Sequence, residues 1–83
     1  MDIKQTWEKV IEYATMPLHG SLSRKQRKGV KIQLNDGKVF EGATFFLEES
    51  VLWVSETTDG LVSNSYYDWS KISSIRTISN DEK

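Results

Sequence analysis

The sequence predicts an α+β domain that is mainly β: an N-terminal helix followed by a five-stranded, strongly bent antiparallel small barrel. Three observations carry this expectation. Apolar residues recur with a helical period near the start, the period drops to two from Val30 onward, and Asp-Gly pairs punctuate the alternating segments.

The helix is expected over residues 3–15. Ile3, Trp7, Val10, Ile11 and Ala14 make one apolar stripe at a 3.6-residue period. Asp2 followed by Gln5 has the spacing of a capping box, in which each residue satisfies a backbone N–H that the first turn leaves open. Lys4 and Glu8 fall four apart on the polar side, a pair that adds about 0.2–0.5 kcal/mol. Pro17 disfavours helical backbone at Met16 and closes the element. A helix this short is marginal alone, so its apolar stripe must dock on the rest of the chain.

Residues 16–29 read as a connector, because Gly20, Ser21 and Ser23 break any period. Val30, Ile32 and Leu34 then alternate with Lys31 and Gln33 as a half-buried first strand. Asn35-Asp36-Gly37 supplies a turn in which Gly37 accepts positive φ. The second strand runs from Lys38 to Leu47, with Gly42 inside it as a bulge or sharp bend. Val51–Glu56 and Leu61–Trp69 follow as third and fourth strands around the Asp59-Gly60 turn. Ser70-Lys71-Ile72 makes one helical turn and residues 73–78 a short fifth strand; residues 79–83 read as a frayed tail. The barrel is thus expected over residues 30–78, in a single domain covering 1–83.

Composition narrows the function. The chain has 83 residues and no cysteine, so neither a disulfide framework nor a thiolate metal site is available. No run approaches the length of a signal-peptide core or a spanning helix, which leads us to expect a soluble, cytoplasmic protein with no membrane partner. Net charge is −1 but polarised: residues 1–42 hold eight Lys/Arg and five Asp/Glu, residues 43–83 three and seven. Such polarity suits self-association as well as it suits nucleic acid.

Ser23-Arg24-Lys25-Gln26-Arg27-Lys28-Gly29 concentrates the positive charge. Arg24, Lys25, Arg27, Lys28 and Lys31 are candidate phosphate contacts for RNA or another nucleic acid. No aromatic lies between residues 14 and 39 to stack on bases, so a solvated connector is the favoured reading of the same run. A second feature weighs more. Phe45 and Phe46 are adjacent and point to opposite faces, and Val51-Leu52-Trp53-Val54 is apolar on both. A barrel strand needs one apolar face, so the helix, a partner subunit or a ligand must cover the other. Phe46, Trp53 and Tyr66 are therefore the candidate assembly surface.

Catalytic constellations are not expected. His19 stands alone beside Gly20 in a loop, and no metal site or cofactor is predicted. Glu48, Glu49, Glu56, Asp59 and Asp68 do not suggest a paired acid and base, three of them lying in turns. No serine has nucleophile-elbow context.

The run Leu34-Asn35-Asp36-Gly37-Lys38-Val39-Phe40-Glu41-Gly42 resembles the first half of the Sm-like signature, and the helix before the first strand resembles the Sm-like layout. Tyr67 to Ile75, reading YDWSKISSI, resembles the close of small barrels of the Sm-like and Src-homology type. The resemblance implies a small-barrel fold and ring or dimer assembly. It implies no RNA-reading residues, because the loop Asn and the Arg-Gly pair of RNA-binding Sm-like proteins are replaced here by EESVLW and DWSKIS. The expected function is a non-catalytic binding or assembly module that self-associates or docks a protein partner, with nucleic-acid binding through residues 24–31 as the alternative.

Overall fold

The computed structural model describes residues 2–18 and 23–79. The helix α1 is Ile3–Ala14. Its capping box forms as expected: Gln5 N donates to Asp2 Oδ1 at 2.9 Å, and Asp2 N donates to Gln5 Oε1 at 3.4 Å. Lys4 Nζ meets Glu8 Oε2 at 2.7 Å. The helix stops one residue earlier than expected because Thr15 turns extended (φ −134°, ψ 171°). Its hydroxyl donates back to the Ile11 carbonyl at 2.6 Å.

From Thr15 onward most of the described residues are in strands. The elements are β1 Thr15–Pro17, β2 Ser23–Gln26, β3 Val30–Leu34, β4 Val39–Phe40, β5 Thr44–Leu47, β6 Val51–Thr58, β7 Leu61–Asp68, a 3₁₀ turn Trp69–Lys71, and β8 Ile75–Ser79. All pairings are antiparallel. They build a five-stranded sheet, β1-β2-β5-β6-β7, and a three-stranded sheet, β4-β3-β8. Among the described residues these ladders do not join into a closed ring.

The expected connector over 16–29 is corrected here: it contains the end of β1 and all of β2. Hydrophobic alternation cannot reveal β2, because its inward positions are Arg24 and Gln26. Both are satisfied by hydrogen bonds to other elements rather than by apolar contact. His19, Gly20 and Ser21, and the tail residues 80–83, lie outside the described residues; Ser79, expected in the tail, closes β8.

The expected second strand divides at Gly42, whose φ of 70° suits a residue without Cβ. On one side β4 pairs with β3; on the other β5 pairs with β2 and β6. One stretch of chain therefore crosses from one sheet to the other, as the glycine inside the strand suggested. The Asp59-Gly60 turn also forms as expected, with φ of 54° and 80° and Thr58 opposite Leu61. At the other Asp-Gly pair the expectation is corrected. Asn35, not Gly37, takes the positive φ of 56°, and Gly37 N donates to the Leu34 carbonyl at 3.1 Å.

Asn35 tolerates that backbone because its side chain is committed elsewhere. Its Oδ1 accepts from Ser73 N at 2.7 Å, Ser73 Oγ at 3.0 Å and Ser74 N at 3.3 Å. These bonds hold Ser73 and Ser74 out of the last strand, so β8 starts at Ile75 rather than at residue 73.

Both sheets and the helix share one core. Phe40, Phe45, Ile32, Leu34, Leu52, Val54, Ile72 and Ile11 are essentially inaccessible to solvent. Phe40 sits edge-on to Phe45 at 6.1 Å and to Tyr67 at 6.5 Å, arrangements that add about 0.5–1.5 kcal/mol beyond area burial. The helix docks against the 3₁₀ turn, with Trp7 Nε1 donating to the Ile72 carbonyl at 3.0 Å. Lys38 Nζ reaches Glu56 Oε1 at 2.8 Å, tying the approach to β4 to β6 of the other sheet.

Candidate binding surface

The outer face of the five-stranded sheet follows from its register. Ser23 opposes Phe46, Phe46 opposes Trp53, and Trp53 opposes Tyr66. Side chains directly opposite on antiparallel strands come within about 4.5–5.5 Å at Cβ, so three aromatics in one row must stack. They do: Phe46 and Trp53 lie 4.2 Å apart at 22°, Trp53 and Tyr66 5.8 Å apart at 21°. The three residues expected to form the assembly surface are thus one continuous ladder across β5, β6 and β7. The helix does not cover it, because α1 packs at the 3₁₀ turn, β1 and β8.

Exposure rises along the ladder. Phe46 and Trp53 are half-buried by their neighbours, whereas Tyr66 is 62% exposed. The Trp53 indole N–H donates to Asn64 Oδ1 at 3.0 Å, which fixes the ring's orientation on the face. Asn64 is the member of this surface that composition and periodicity miss; only the β6–β7 register brings it beside Trp53. The face-to-face stacking consumes the inner ring faces, leaving the far face of Tyr66 directed toward the sheet edge.

The row ends near Asp68, whose carboxylate accepts from Ser70 N at 2.9 Å and Ser70 Oγ at 2.8 Å. These bonds, the backbone one foremost, hold the Asp68 carboxyl below the usual carboxylate range. On the inner face, burial raises the Tyr67 phenol, and the Glu56 carboxylate adds to that shift while Lys38 opposes it.

The basic residues are dispersed rather than gathered. Arg24 Nε donates to Thr15 Oγ1 at 2.7 Å, and its terminal nitrogen donates to the Glu12 and Thr15 carbonyls at 3.2 and 3.3 Å. Arg27 Nε donates to the Tyr13 carbonyl at 2.9 Å. Both guanidinium groups sit at the C-terminus of α1, where the carbonyls carry partial negative charge and the helix has no cation of its own in its last turn. Lys25 Nζ donates to the Gly42 carbonyl at 2.8 Å. Lys28 and Lys31 are exposed, and among the described residues no side-chain hydrogen bond or ion pair involves them.

Surface concavities lie away from the ladder. One of about 330 Å³ is lined by Gln5, Glu8, Lys9 and Glu12, and one of about 390 Å³ by Tyr13, Arg27, Val30, Thr77 and Ser79. Among the described residues no group of His, Cys, Asp or Glu side chains is placed to hold a metal ion, and no helix is long and apolar enough to cross a membrane. No family model, curated protein or solved structure matches this chain.

Proposed function

We propose that this chain is a non-catalytic binding and assembly module, built as a small barrel of the Sm-like or Src-homology type, that engages a second copy or a protein partner through the outer face of β5, β6 and β7. The observation that carries the reading is the aromatic ladder Phe46–Trp53–Tyr66, which ends in an exposed ring at an open sheet edge. Large apolar side chains aligned on a solvent-facing sheet favour association, because burying them against a partner removes apolar area from water at about 25 cal/mol per Å². Sheet closure by a neighbouring strand would complete what the two ladders leave open.

Binding of RNA through Arg24, Lys25, Arg27, Lys28 and Lys31 draws less support, since the first three direct donors at carbonyls of their own chain. The test of the assembly reading is sedimentation at micromolar concentration. The wild type is expected to run heavier than its 9.6 kDa monomer. Trp53→Ser and Tyr66→Ser are expected to lower that mass while circular dichroism stays unchanged. A wild type that runs as a monomer throughout sinks self-association.

A further inference from the structure

Among the described residues, four strands lie at the edges of the two sheets, and three of them are poor templates for a partner. β1 has three residues and ends in Pro17, β4 has two residues, and β8 carries the charge of Arg76. Short length, proline and charge are the devices by which edges resist strand addition. β7 is longer and free of proline, and its one charge, Asp68, is its last residue. It is eight residues long, and from Leu61 to Tyr67 it contains no charge, proline or glycine. Leu61 and Val62, at its start, are 74% and 63% exposed.

The hydrogen-bond phase shows which of its backbone groups are open. Glu48 N donates to the Val51 carbonyl at 3.1 Å, which makes this pair a bonded one and sets the alternation along the hairpin. Val51, Trp53 and Ser55 therefore bond toward β5, and Leu52, Val54, Glu56 and Thr58 toward β7. Their partners on β7 are Tyr67, Ser65, Ser63 and Leu61. Val62, Asn64 and Tyr66 are left with N–H and C=O groups directed to the open edge. These same residues carry the outer-face side chains, because Tyr66 shares the face of Trp53.

Resting on the assembly reading above, we propose that the partner is a second copy of this chain, joined β7 to β7 in antiparallel fashion about a two-fold axis at Asn64. In this register Asn64 faces Asn64 of the partner subunit, and Tyr66 faces the partner's Val62. Both pairs are of the bonded kind on both strands. The aromatic ladder gains an apolar fourth rung, and on the inner face the exposed Leu61 comes opposite the partner's Tyr67. Shifting the strands by two residues sets Val62 against the partner's Asp68 or leaves Tyr66 opposite the partner's Gly60, so apolar matching selects the axis at Asn64. The absence of charge matters as well. In an isologous contact charges near the axis meet their own sign; Leu61 to Tyr67 carries none, and Asp68 falls at the end of the paired stretch, opposite the partner's Gly60.

Charge substitution at the axis tests the register. Asn64→Lys and Asn64→Asp each set like charges against one another, and each variant should sediment as a monomer where the wild type is a dimer. An equimolar mixture should recover the dimer mass, with heterodimers dominating. Asp keeps an acceptor for the Trp53 indole, so a folded variant is available even if Lys disturbs that ring; tryptophan fluorescence reports it. Dimers that persist in both variants, or a mixture that stays monomeric, overturn this register and leave the assembly reading standing. A monomeric wild type overturns this pairing and self-association with it, leaving only a different protein as the partner of the face.

Discussion

Gln26 Nε2 donates to the Phe40 carbonyl at 2.6 Å, from a fully satisfied carboxamide inside the core. The same amide donates to the Val30 carbonyl at 2.7 Å, and Gln26 Oε1 accepts from Ala43 N at 3.0 Å. Gln26 thus bridges the points where the chain leaves one sheet and enters the other. Among the described residues no buried side-chain polar atom lacks a partner.

Replacing Gln26 by Leu keeps much of the volume but leaves the Val30 and Phe40 carbonyls and the Ala43 N–H without these partners. A buried unsatisfied group costs about 1–3 kcal/mol, so Gln26→Leu is expected to destabilise by roughly 2–4 kcal/mol in urea unfolding. A change within experimental error would mean that the bend at Gly42 holds itself.

Asn35 contributes in two ways that substitution can separate. Asn35→Gly keeps the positive φ and loses the bonds to Ser73 and Ser74; Asn35→Ala loses both. Alanine is expected to be the less stable of the two by about 1 kcal/mol, the cost of left-handed backbone for a residue with Cβ. Thermal unfolding of the pair measures the difference, and equal stability would assign the whole role of Asn35 to its side chain.

Arg24 couples helix to sheet. Arg24→Lys retains the charge near the carbonyls of Glu12 and Thr15 but lacks the planar fork that reaches Thr15 Oγ1 and both carbonyls together. Lysine is expected to lose about 1 kcal/mol, with helical circular dichroism retained. Full stability in Arg24→Ala would remove the guanidinium from the account of how α1 ends.

Tyr67 makes stability fall at alkaline pH. Its folded pKa is raised above the ordinary 10.0, chiefly by burial and then by Glu56. The folded state therefore holds its proton more tightly than the unfolded state does. That contribution is complete below pH 10.0 and is lost as pH rises from there through the folded value. Tyr67→Phe is expected to flatten this limb in unfolding measured across that range; an unchanged slope would place the alkaline dependence on other groups.

Much of the architecture is legible in the residues alone, because its signals are local. The period of Ile3, Trp7 and Ile11 marks the helix, and Asp59-Gly60 can supply the two positive φ angles of a tight hairpin. Gly42 marks the bend, and strands apolar on both faces single out Phe46, Trp53 and Tyr66 before any register is known.

Other features were decided only in three dimensions. β2 is invisible to hydrophobic patterning, since its inward residues are polar and depend on carbonyls brought close by folding. Positive φ falls on Asn35 rather than Gly37 because Ser73 and Ser74, far along the chain, reward that side chain. The basic run is divided between the helix end and the bend for the same reason. The open edge of β7 exists only once sheet order is set. Periodicity reports which side chains avoid water, and it carries no record of which distant backbone group will satisfy a polar one.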